Sequence, residues 1–459
     1  MRTLLFLAAV VPAFAMPPLS LHPDNPHYFL FRGRPTVLVT SGEHYGAVIN
    51  LDFDYKAYLA ELQRHGLNHT RTFAGTYREV PGSFSIGNNT LAPKDDRFLC
   101  PWMRRGNEFD LTRWNPDYIV RLKDFMGEAS RRGVIVELNL FCPYYKDEMW
   151  QVSPFNTVPR LEAYTLKHPA ITRAQMELVR KIIGELRDFD NVYYEIANEP
   201  YFGGITLEWQ RAVSRAIADA EAGFSGKHLI SQNIANGSTR IADPDPLVSI
   251  FNFHYSRPPD SVDMNYPLNR VIGMNETGFD GSADTTYRIQ GWDFLIAGGA
   301  LYNNLDYSFA AGHEDGRFQY ADTTPGGGSV ELRRQLGVLL RFFQALDFVH
   351  MAPAAAGLIG GAPEGSSVRA LVQEGKAYAL YLHHGRVVKD AKPRYQVDGT
   401  KRTAKLTLQL PKGRYAVEWL DPKSGKWSGH GKINHPGGGC TLDSPDYSED
   451  LALIVRAVS

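Results

Sequence analysis

The chain has 459 residues, of which 43% are hydrophobic and 22% are charged, so it is long enough for a large core and for more than one domain. Its formal net charge of −1 provides no basic surface for a polyanion, which excludes nucleic acid as the expected partner. The aromatic fraction of 12% fits a tightly packed core and also a sugar-binding cleft, because flat rings pack against the apolar faces of sugars.

The first 15 residues have the pattern of a signal peptide. Arg2 is a short positive region, Leu4–Val11 is apolar, and residues 13–15 read Ala-Phe-Ala, a cleavage site of the A-x-A type. The apolar run is too short to span a membrane, and no later segment reaches about 18 uninterrupted apolar residues. The sequence therefore predicts a secreted or periplasmic protein without a membrane span, with a mature chain that begins near Met16.

The chain contains three cysteines, Cys100, Cys142 and Cys440, which is an odd and small number for an exported protein. Two alternatives stay open at this point. Cys100 and Cys142 form a disulfide if their loops meet, or all three cysteines remain free thiols.

Between Pro35 and about Asn304, apolar strand-like runs alternate with amphipathic helical stretches, which is typical of parallel strands joined by crossover helices. Eight such runs with interleaved helices predict a (β/α)8 TIM barrel, which we expect to occupy residues 16–351. The helices after the fifth and sixth strands are weak. The alternative is an open doubly wound sheet, although no G-x-G-x-x-G motif follows the first strand. The predicted strands are Thr36–Thr40, Asn68–Phe73, Val134–Phe141, Val192–Ile196, His228–Gln232, Val248–Phe253, Val271–Met274 and Ala300–Leu305, and the predicted helices are 53–65, 115–132, 171–188, 207–222, 286–297 and 331–348.

Shorter segments on both sides of the barrel predict additional β-structure. Residues His22–Arg34 form a predicted hairpin that turns at Arg32-Gly33 and plugs the base of the barrel. After the last helix, short strands separated by Gly, Pro and Lys turns predict a small antiparallel β-sandwich over residues 352–459, which we expect to be an accessory domain. Its predicted strands are Ser367–Gln373, Ala377–His383, Ala404–Leu410, Tyr415–Leu420 and Leu451–Arg456.

Two carboxylates stand where predicted barrel strands end. The fourth strand stops at Asn198-Glu199-Pro200, because proline cannot donate to a sheet ladder. Glu276 ends the seventh strand in the same way, after an apolar run. Parallel barrels keep their chemistry at this end of their strands, and the fourth and seventh strands face each other across the mouth. Glu199 and Glu276 are therefore expected to flank one bond, as the hydrolysis of an acetal requires.

This layout resembles clan A of the glycoside hydrolases, the retaining enzymes that include the cellulase-like family 5. The resemblance rests on Asn198-Glu199-Pro200 after strand four together with Glu276 after strand seven, and it extends over roughly residues 22–350. It implies that Glu199 is the general acid/base, that Glu276 is the nucleophile, and that Asn198 hydrogen-bonds the 2-hydroxyl of the substrate. The motif is specific for the clan and identifies neither a substrate nor one family.

Other strand ends agree with the resemblance. Arg71 ends the second strand, where family 5 has an arginine, and a cation there would keep the Glu276 carboxylate ionised. The alternative for Arg71 is a structural salt bridge. His254 and Tyr255 end the sixth strand, where the clan commonly has a tyrosine or histidine that contacts the nucleophile or the substrate. The alternative for His254 is a packed, hydrogen-bonded residue.

Four further polar residues are predicted at the mouth of the barrel, where they would bind the sugar. Glu43 and His44 follow the first strand, Asn233 follows the fifth, and Tyr307 follows the eighth. Alternatively, the Glu43 carboxylate only bonds the His44 ring.

The chain departs from the clan after the eighth strand, where many members carry a tryptophan that supports the sugar. Here the sequence is Asn-Asn-Leu-Asp-Tyr over residues 303–307, so Tyr307, Phe309 or Trp292 is expected to take that place. Loops after the second and third strands carry aromatic residues that suit either a sugar cleft or loop packing, namely Tyr77, Trp102, Tyr144, Tyr145 and Trp150.

Together these patterns predict a secreted retaining β-glycoside hydrolase without a cofactor, acting on a β-linked poly- or oligosaccharide, with a glucan or mannan favoured. The absence of an HExxH or a paired CxxC pattern gives no reason to expect a metal, and the absence of a G-x-S-x-G elbow argues against an esterase. Two other functions stay open: a non-catalytic carbohydrate-binding or scaffold protein on the same fold, and a metal-dependent barrel hydrolase.

Overall fold

The computed structural model describes residues 16–106 and 108–458, apart from the side chain of His430. The predicted signal peptide, residues 1–15, lies outside these ranges. Across the described ranges, every helix is too short or too polar to cross a membrane. Eight parallel strands form a nearly closed barrel, which is preceded by a small antiparallel sheet and followed by further antiparallel sheets.

Parallel strands that follow one another in chain order form the barrel, so the predicted (β/α)8 fold is confirmed and the doubly wound alternative is excluded. The first thirteen strands are β1 (Ser20–Leu21), β2 (Phe29–Phe31), β3 (Arg34–Thr36), β4 (Leu38–Gly42), β5 (His69–Phe73), β6 (Trp102–Arg105), β7 (Glu108–Trp114), β8 (Ile135–Asn139), β9 (Val192–Glu195), β10 (Ile230–Asn236), β11 (Ile250–His254), β12 (Val271–Glu276) and β13 (Leu301–Leu305). The barrel consists of β4, β5 and β8–β13, and its hydrogen-bonded order is β4-β13-β12-β11-β10-β9-β8-β5.

The side chain of Asn68 closes the barrel between β4 and β5. Its Oδ1 accepts a hydrogen bond from the backbone N–H of Val39 at 3.0 Å, and its Nδ2 donates to the carbonyl of Val37 at 2.8 Å. The backbone N–H of Asn68 donates to the Val39 carbonyl at 3.4 Å. The Asn68 side-chain amide therefore joins β4 and β5 at this seam, whereas regular backbone hydrogen bonds join the other neighbouring strands.

The helices are α1 (Tyr55–Arg64), α2 (Pro116–Arg131), α3 (Asp147–Trp150), α4 (Pro169–Leu186), α5 (Leu207–Ala220), α6 (Asp260–Asn265), α7 (Asp284–Ile296) and α8 (Val330–Gln344). Six helices occupy the predicted segments of the chain, and the short helices α3 and α6 are additional. Polar side chains determine where four of them begin, since Asp54, Asn115, Thr206 and Ser329 accept hydrogen bonds from N–H groups of the first turn. A loop follows β10, and only the short α6 follows β11, where the helical pattern of the sequence is weak.

Strands β1–β3 form an antiparallel sheet at the base of the barrel, where its strands begin. The pair β2–β3 turns at Arg32 and Gly33 as predicted, and β1 is an additional strand. The Arg32 guanidinium forms an ion pair with Asp190 at 2.6 Å, and the Leu19 N–H donates to the Asp190 carbonyl at 2.9 Å. Because Asp190 directly precedes β9, these contacts hold the small sheet against the end of the barrel opposite the strand carboxyl ends.

Two antiparallel sheets face each other in the C-terminal part, which confirms the predicted sandwich. Its strands are β14 (Ala352–Pro353), β15 (Ile359–Gly360), β16 (Ser367–Gln373), β17 (Ala377–His383), β18 (Gly385–Val387), β19 (Tyr395–Val397), β20 (Lys405–Leu410), β21 (Gly413–Leu420), β22 (Trp427–His435), β23 (Gly438–Asp443) and β24 (Asp450–Ala457). The larger sheet has the order β14-β16-β17-β24-β21-β22, and the smaller has the order β15-β20-β23. Helix α8 ends at Gln344 and β14 begins at Ala352, so a domain boundary at residues 351–352 stays a prediction.

The central strands of the larger C-terminal sheet, β17 and β24, are buried on both faces. Along β17, Tyr378 and Leu380 belong to the core between the two sheets, whereas Ala379 and Tyr381 belong to the core shared with the barrel. The Tyr381 ring stacks on Trp292 of α7, with the ring centroids 5.3 Å apart. Trp292 is thus part of the junction with the barrel, and it does not form the predicted sugar platform.

A buried ion pair crosses the same junction. Arg288 of α7 donates from Nε and from Nη2 to the two carboxylate oxygens of Asp450, at 2.9 Å each. Its Nη2 also bonds Glu449 at 2.7 Å, and its Nη1 donates to Gln335 at 2.7 Å. The Tyr381 hydroxyl donates to Asp450 at 2.7 Å, so both partners of the pair have further hydrogen bonds.

All three cysteines are free and buried, so the alternative of a Cys100–Cys142 disulfide is wrong. Cys142 lies close to one of the predicted site residues, with its sulfur 3.5 Å from the Asn198 amide nitrogen.

Candidate active site

A pocket at the carboxyl ends of the barrel strands holds both predicted carboxylates. Glu199 and Glu276 line it, and they are 7% and 6% exposed. The wall is formed by the ends of β4, β9, β11 and β12 and by the loop that follows β5.

Glu276 ends β12 and is held by four neighbouring groups. The Tyr45 hydroxyl donates to its Oε2 at 2.9 Å, and the Tyr255 hydroxyl donates to its Oε1 at 2.5 Å. Arg71 Nη1 lies 3.2 Å from Oε2, and His254 Nδ1 lies 3.3 Å from Oε1. Burial alone would raise the pKa of Glu276, but the charges of His254 and Arg71 and the Tyr255 bond lower it well below its usual range. Glu276 is therefore ionised at neutral pH, as a nucleophile must be.

Glu199 faces Glu276 from the end of the β9 segment. Its Oε2 accepts a hydrogen bond from the Tyr145 hydroxyl at 2.6 Å, and its Oε1 accepts one from Tyr201 at 3.4 Å. His254 Nδ1 lies 3.2 Å from the same Oε1. One oxygen of each glutamate and one His254 nitrogen all lie within 4.8 Å of one another. The imidazole thus connects the two carboxylates.

His254 carries a positive charge between the two carboxylates. Burial would lower the pKa of this fully buried imidazole, but the Glu276 charge and the bonds to both glutamates raise it to about 9. The position follows from strand register, because His254 pairs with Glu276 in the parallel β11–β12 ladder. A register shift between Phe253 and His254 accompanies this pairing.

Arg71 lies directly behind Glu276, as predicted for a cation that keeps the nucleophile charged. It is 1% exposed, and it donates to Glu137 at 2.6 Å, to Glu195 at 2.6 Å and to Asn198 Oδ1 at 2.7 Å. Glu137 and Glu195 are residues that the sequence reasoning missed. A carboxylate inside an otherwise apolar strand, as both are, was the signal that could have identified them.

Three asparagines complete a polar layer beneath the pocket. Asn275 donates to Glu137 at 2.8 Å and to Glu195 at 2.9 Å, Asn252 donates to Glu195 at 2.7 Å, and Asn139 donates to Glu195 at 3.1 Å. Burial and the nearby Glu195 charge raise the pKa of Glu137 to about 8, so this carboxyl is largely protonated at neutral pH. The layer fixes the orientation of the arginine above it.

Three residues around the carboxylates have left-handed backbone conformations. Their φ angles are 59° at Tyr45, 39° at Glu199 and 53° at Tyr255. Such conformations cost non-glycine residues of order 1–3 kcal/mol each and concentrate at functional sites. The strain directs the hydroxyls of Tyr45 and Tyr255 toward Glu276, with which both bond.

Both polar groups of Asn198 are occupied within the protein. Its Oδ1 accepts from Arg71, while its Nδ2 donates to the Tyr145 hydroxyl at 2.9 Å and approaches Cys142 Sγ at 3.5 Å. Asn198 therefore links the arginine to the tyrosine that holds Glu199. Tyr145 is one of the loop aromatics of the sequence, and the structure gives it a specific position beside a predicted catalytic residue.

Glu43 is not brought to the pocket. Its carboxylate accepts hydrogen bonds from the Gly46 N–H at 3.0 Å and the Thr90 hydroxyl at 2.6 Å, so it stabilises the turn after β4. His44 does line the pocket, and its ring bonds Glu79 at 3.2 Å and not Glu43. The predicted residues that lie in the pocket or directly behind it are His44, Arg71, Asn198, Glu199, His254, Tyr255 and Glu276.

Asn233 and Tyr307 lie outside the pocket wall. Asn233 is buried in β10, and its side-chain amide has no hydrogen-bond partner among residues 16–106 and 108–458. Tyr307 is buried behind the wall, with its ring centroid 5.9 Å from that of His44. Phe309 packs against the guanidinium of Arg333 on α8. Leu305 of β13 lines the pocket where a tryptophan platform was expected.

Comparisons with known proteins identify the fold. No family model matches the chain, and no curated protein was found to be similar. A solved protein described as a glycoside hydrolase superposes with a TM-score of 0.65 over 96% of this chain and 97% of its own, at 13% identity. A glycoside hydrolase family 5 protein from Bacteroides vulgatus ATCC 8482 gives a TM-score of 0.65 over 96% of this chain and 92% of its own, also at 13% identity. This likeness shows that the barrel and the C-terminal sheets form a fold shared with these proteins.

Proposed function

We propose that the protein is a retaining β-glycoside hydrolase in which Glu276 is the nucleophile and Glu199 the general acid/base. The observation that carries this proposal is the position of the two carboxylates, which face each other across the pocket with one oxygen of each within 4.8 Å of the other. Retaining enzymes hold their carboxyl groups about 5–5.5 Å apart, whereas inverting enzymes leave about 6.5–9.5 Å for a water molecule. The short separation favours retention.

In the first step, a Glu276 oxygen attacks the anomeric carbon while Glu199 donates its proton to the glycosidic oxygen. The bond between the anomeric carbon and the leaving group breaks, and the sugar remains as an ester on Glu276. Arg71 and the hydroxyls of Tyr45 and Tyr255 hold the attacking carboxylate in place and ionised.

In the second step, Glu199 accepts a proton from a water molecule whose oxygen attacks the same carbon. The ester bond breaks, Glu276 leaves as a carboxylate, and Glu199 has regained its proton. Protonated His254, which bonds both carboxylates, stabilises the one that carries negative charge at each stage.

The remaining parts of the proposal concern substrate and location. We propose a β-linked poly- or oligosaccharide substrate of the glucan or mannan type, on the strength of the clan resemblance. The signal-peptide pattern supports export of the protein. We further propose that residues 16–351 form the catalytic domain and that residues 352–459 form an accessory domain, which packs on α7 through Tyr381 and Asp450.

A fluorinated substrate tests the nucleophile. We expect 2,4-dinitrophenyl 2-deoxy-2-fluoro-β-glucoside or the matching mannoside to attach one sugar to Glu276, located by peptide mass spectrometry. The Glu276→Gln variant is the control and should remain unlabelled. A label on another residue of an active enzyme contradicts the assignment. A protein that binds β-glucan or β-mannan but shows neither label nor hydrolysis is the non-catalytic carbohydrate-binding alternative.

A Glu199→Ala variant tests the acid/base. We expect turnover of natural oligosaccharides to fall by about 10²–10⁴-fold, because the leaving oxygen is no longer protonated. A dinitrophenyl glycoside needs no such proton, so the first step on it should persist, and added azide should restore turnover and yield a β-glycosyl azide. Failure of azide rescue, with loss on both substrates, would mean that Glu199 has another role.

A metal-dependent hydrolase is the second candidate, because Glu199, His254 and Glu276 together offer three ligand atoms close enough to hold one metal ion. The proton on His254 and the Arg71 cation 3.2 Å from Glu276 weigh against a metal there. We expect full activity after dialysis against EDTA. Loss of activity that Zn²⁺ restores would favour the second candidate.

A further inference from the structure

Glu79 is a third carboxylate in the pocket wall, on the loop that follows β5. It is 3% exposed. Its Oε1 accepts hydrogen bonds from His44 Nε2 and from the Tyr77 hydroxyl, at 3.2 Å each, and its Oε2 accepts one from Asn89 at 2.5 Å. A carboxylate oxygen accepts about two hydrogen bonds, so Oε2 retains one position for a further donor.

Glu79 follows β5, and its bond to His44 joins it to the side of the pocket that β4 forms. Strand β9, which leads to Glu199, lies across the barrel from β13 and β4, and His44 follows β4. If Glu199 protonates the leaving oxygen, the leaving group lies on its side of the pocket. The hydroxyls of the sugar that remains on Glu276 then extend toward His44 and Glu79.

The wall that carries Glu79 is held firmly against the turn after β4. The Thr90 hydroxyl bonds the Glu43 carboxylate at 2.6 Å, and the Glu79 N–H donates to the Leu91 carbonyl at 2.8 Å. A Cβ atom on Gly46 would lie 2.2 Å from the Thr90 carbonyl oxygen, so only glycine permits this approach of the two backbones. The pocket is therefore closed on this side by a fixed surface.

One buried polar atom of His44, the pocket residue that bonds Glu79, has no hydrogen-bond partner within the described part of the chain. It is the ring nitrogen Nδ1. Buried polar groups in proteins are nearly always hydrogen-bonded, so an unpartnered one on a residue of the pocket wall indicates a polar ligand.

We propose that Glu79 and His44 bind hydroxyls at the non-reducing end of a neutral sugar, so that the enzyme removes single terminal residues from its substrate. This inference rests on the proposed glycosidase function. An acceptor carboxylate beside an imidazole suits a hydroxylated sugar, and the Glu79 charge repels the carboxylate or sulfate of an acidic one. The fixed wall beside Glu79 ends the pocket on this side, which suits one terminal sugar ring and not a run of them.

Capped substrates test the inference on the wild-type protein. Cellotetraose and mannotetraose are compared with the same sugars carrying a 4,6-O-benzylidene cap at the non-reducing end. We expect the free form of the accepted sugar to release only monosaccharide at first. The capped form should react at least about 100-fold more slowly, because the cap cannot enter beside Glu79. Internal cleavage of the capped form overturns the inference.

A Glu79→Ala variant tests the carboxylate itself. On the 4-nitrophenyl β-glycoside that the wild type hydrolyses fastest, we expect kcat/KM to fall about 10- to 100-fold. Removing the 4- or 6-hydroxyl from that substrate should cost the wild type about 10-fold and the variant almost nothing. Equal sensitivity of both proteins to the deoxy substrates overturns the role of Glu79.

Two more variants serve as controls. Glu79→Gln keeps the shape of the side chain, and its kcat/KM should lie between the values for the wild type and Glu79→Ala. Glu177→Ala, on the exposed face of α4, should match the wild type on every substrate. If the wild type labels at Glu276 yet cleaves capped chains, the inference fails alone, whereas a protein without any glycosidase activity overturns the proposed function and the inference together.

Discussion

Two buried arginines, Arg71 beneath the pocket and Arg288 at the junction with the C-terminal sheets, meet carboxylates in different ways. Arg288 forms a two-pronged pair with Asp450, at 2.9 Å for each hydrogen bond. Arg71 distributes its donors over the carboxylates of the polar layer at 2.6 Å and reaches Glu276 only at 3.2 Å. The first arrangement joins two parts of the molecule, and the second shares one cation among several anions.

The difference shows how a similar ion pair can serve stability or chemistry. At Arg288 one buried carboxylate, Asp450, balances the charge, while the second partner, Glu449, is partly exposed. Apolar residues of similar shape can often replace such a buried pair. Arg71 faces more carboxylates than it can neutralise, so Glu137 holds a proton and His254 supplies a second positive charge. Glu276 stays ionised because Arg71 and His254 share their positive charges among several carboxylates. An arginine bound to one carboxylate alone could not do this.

Removing Arg71 should have the largest effect. In Arg71→Met, buried carboxylates lose their cation, so we expect the free energy of unfolding to fall by about 3–5 kcal/mol. We expect kcat/KM on a dinitrophenyl glycoside to fall about 1,000-fold or more, since Glu276 loses the charge that keeps it ionised. Arg71→Lys keeps the positive charge but loses the planar guanidinium with its several donors. Its stability and its kcat/KM should lie between those of the wild type and Arg71→Met. Near-normal activity in Arg71→Met would remove the distinction between the two arginines.

Removing Arg288 should destabilise the protein without altering its chemistry. In Arg288→Met we expect a loss of about 3 kcal/mol in urea unfolding and a kcat/KM within about twofold of the wild type. The double variant Arg288→Met, Asp450→Leu should be more stable than the single one, because the fully buried carboxylate is removed together with its partner. A large loss of activity in the folded single variant would show that the junction also acts on the pocket.

The charge on His254 should make stability depend on pH. Its pKa is raised to about 9 in the folded protein from the ordinary value of 6.5, so the proton stabilises the fold fully below about pH 6.5. This contribution of about 1–3 kcal/mol is lost as pH rises to about 9. Urea unfolding at about pH 6 and about pH 9 should show a smaller decline in His254→Asn than in the wild type. Equal declines in both proteins would mean that His254 is neutral in the folded state.

An exposed ion pair should matter least. Lys123 of α2 lies 3.0 Å from Glu185 of α4, and about half of the Lys123 side chain is exposed. Lys123→Ala is therefore expected to change the free energy of unfolding by less than about 1 kcal/mol and to leave activity unchanged. This variant is the surface control for both buried arginines, and a loss as large as that of Arg288→Met would show that burial is not what separates them.

The barrel was predictable because its strand signals are local. Each strand is a short apolar run, and Gly278 closely follows the end of β12. The strands that escaped prediction in the C-terminal part lack that signal. Strand β22 (Trp427–His435) carries Gly429, Gly431 and Lys432 and is fixed by pairing with β21, which depends on tertiary contacts.

The site was predictable where it depends on strand ends and unpredictable where it depends on loops. Glu199 and Glu276 follow strands whose ends converge, so their meeting could be foreseen. Glu79 lies in a long loop whose path is set by contacts with the turn after β4. Glu43 also carries a carboxylate near the ends of the barrel strands. Local N–H groups donate to that carboxylate, so it stabilises the turn after β4.

The Asn68 side chain that closes the barrel makes the protein sensitive to the cell that produces it. Asn68-His-Thr and Asn275-Glu-Thr both match the acceptor pattern for N-glycosylation, which attaches the glycan to Nδ2. In the folded chain both Nδ2 atoms donate inside the barrel, that of Asn68 to Val37 and that of Asn275 to the layer beneath the pocket. A eukaryotic secretory pathway that modified these asparagines before folding would place a bulky glycan at the seam and block closure. Production in a bacterial host without this modification avoids that failure.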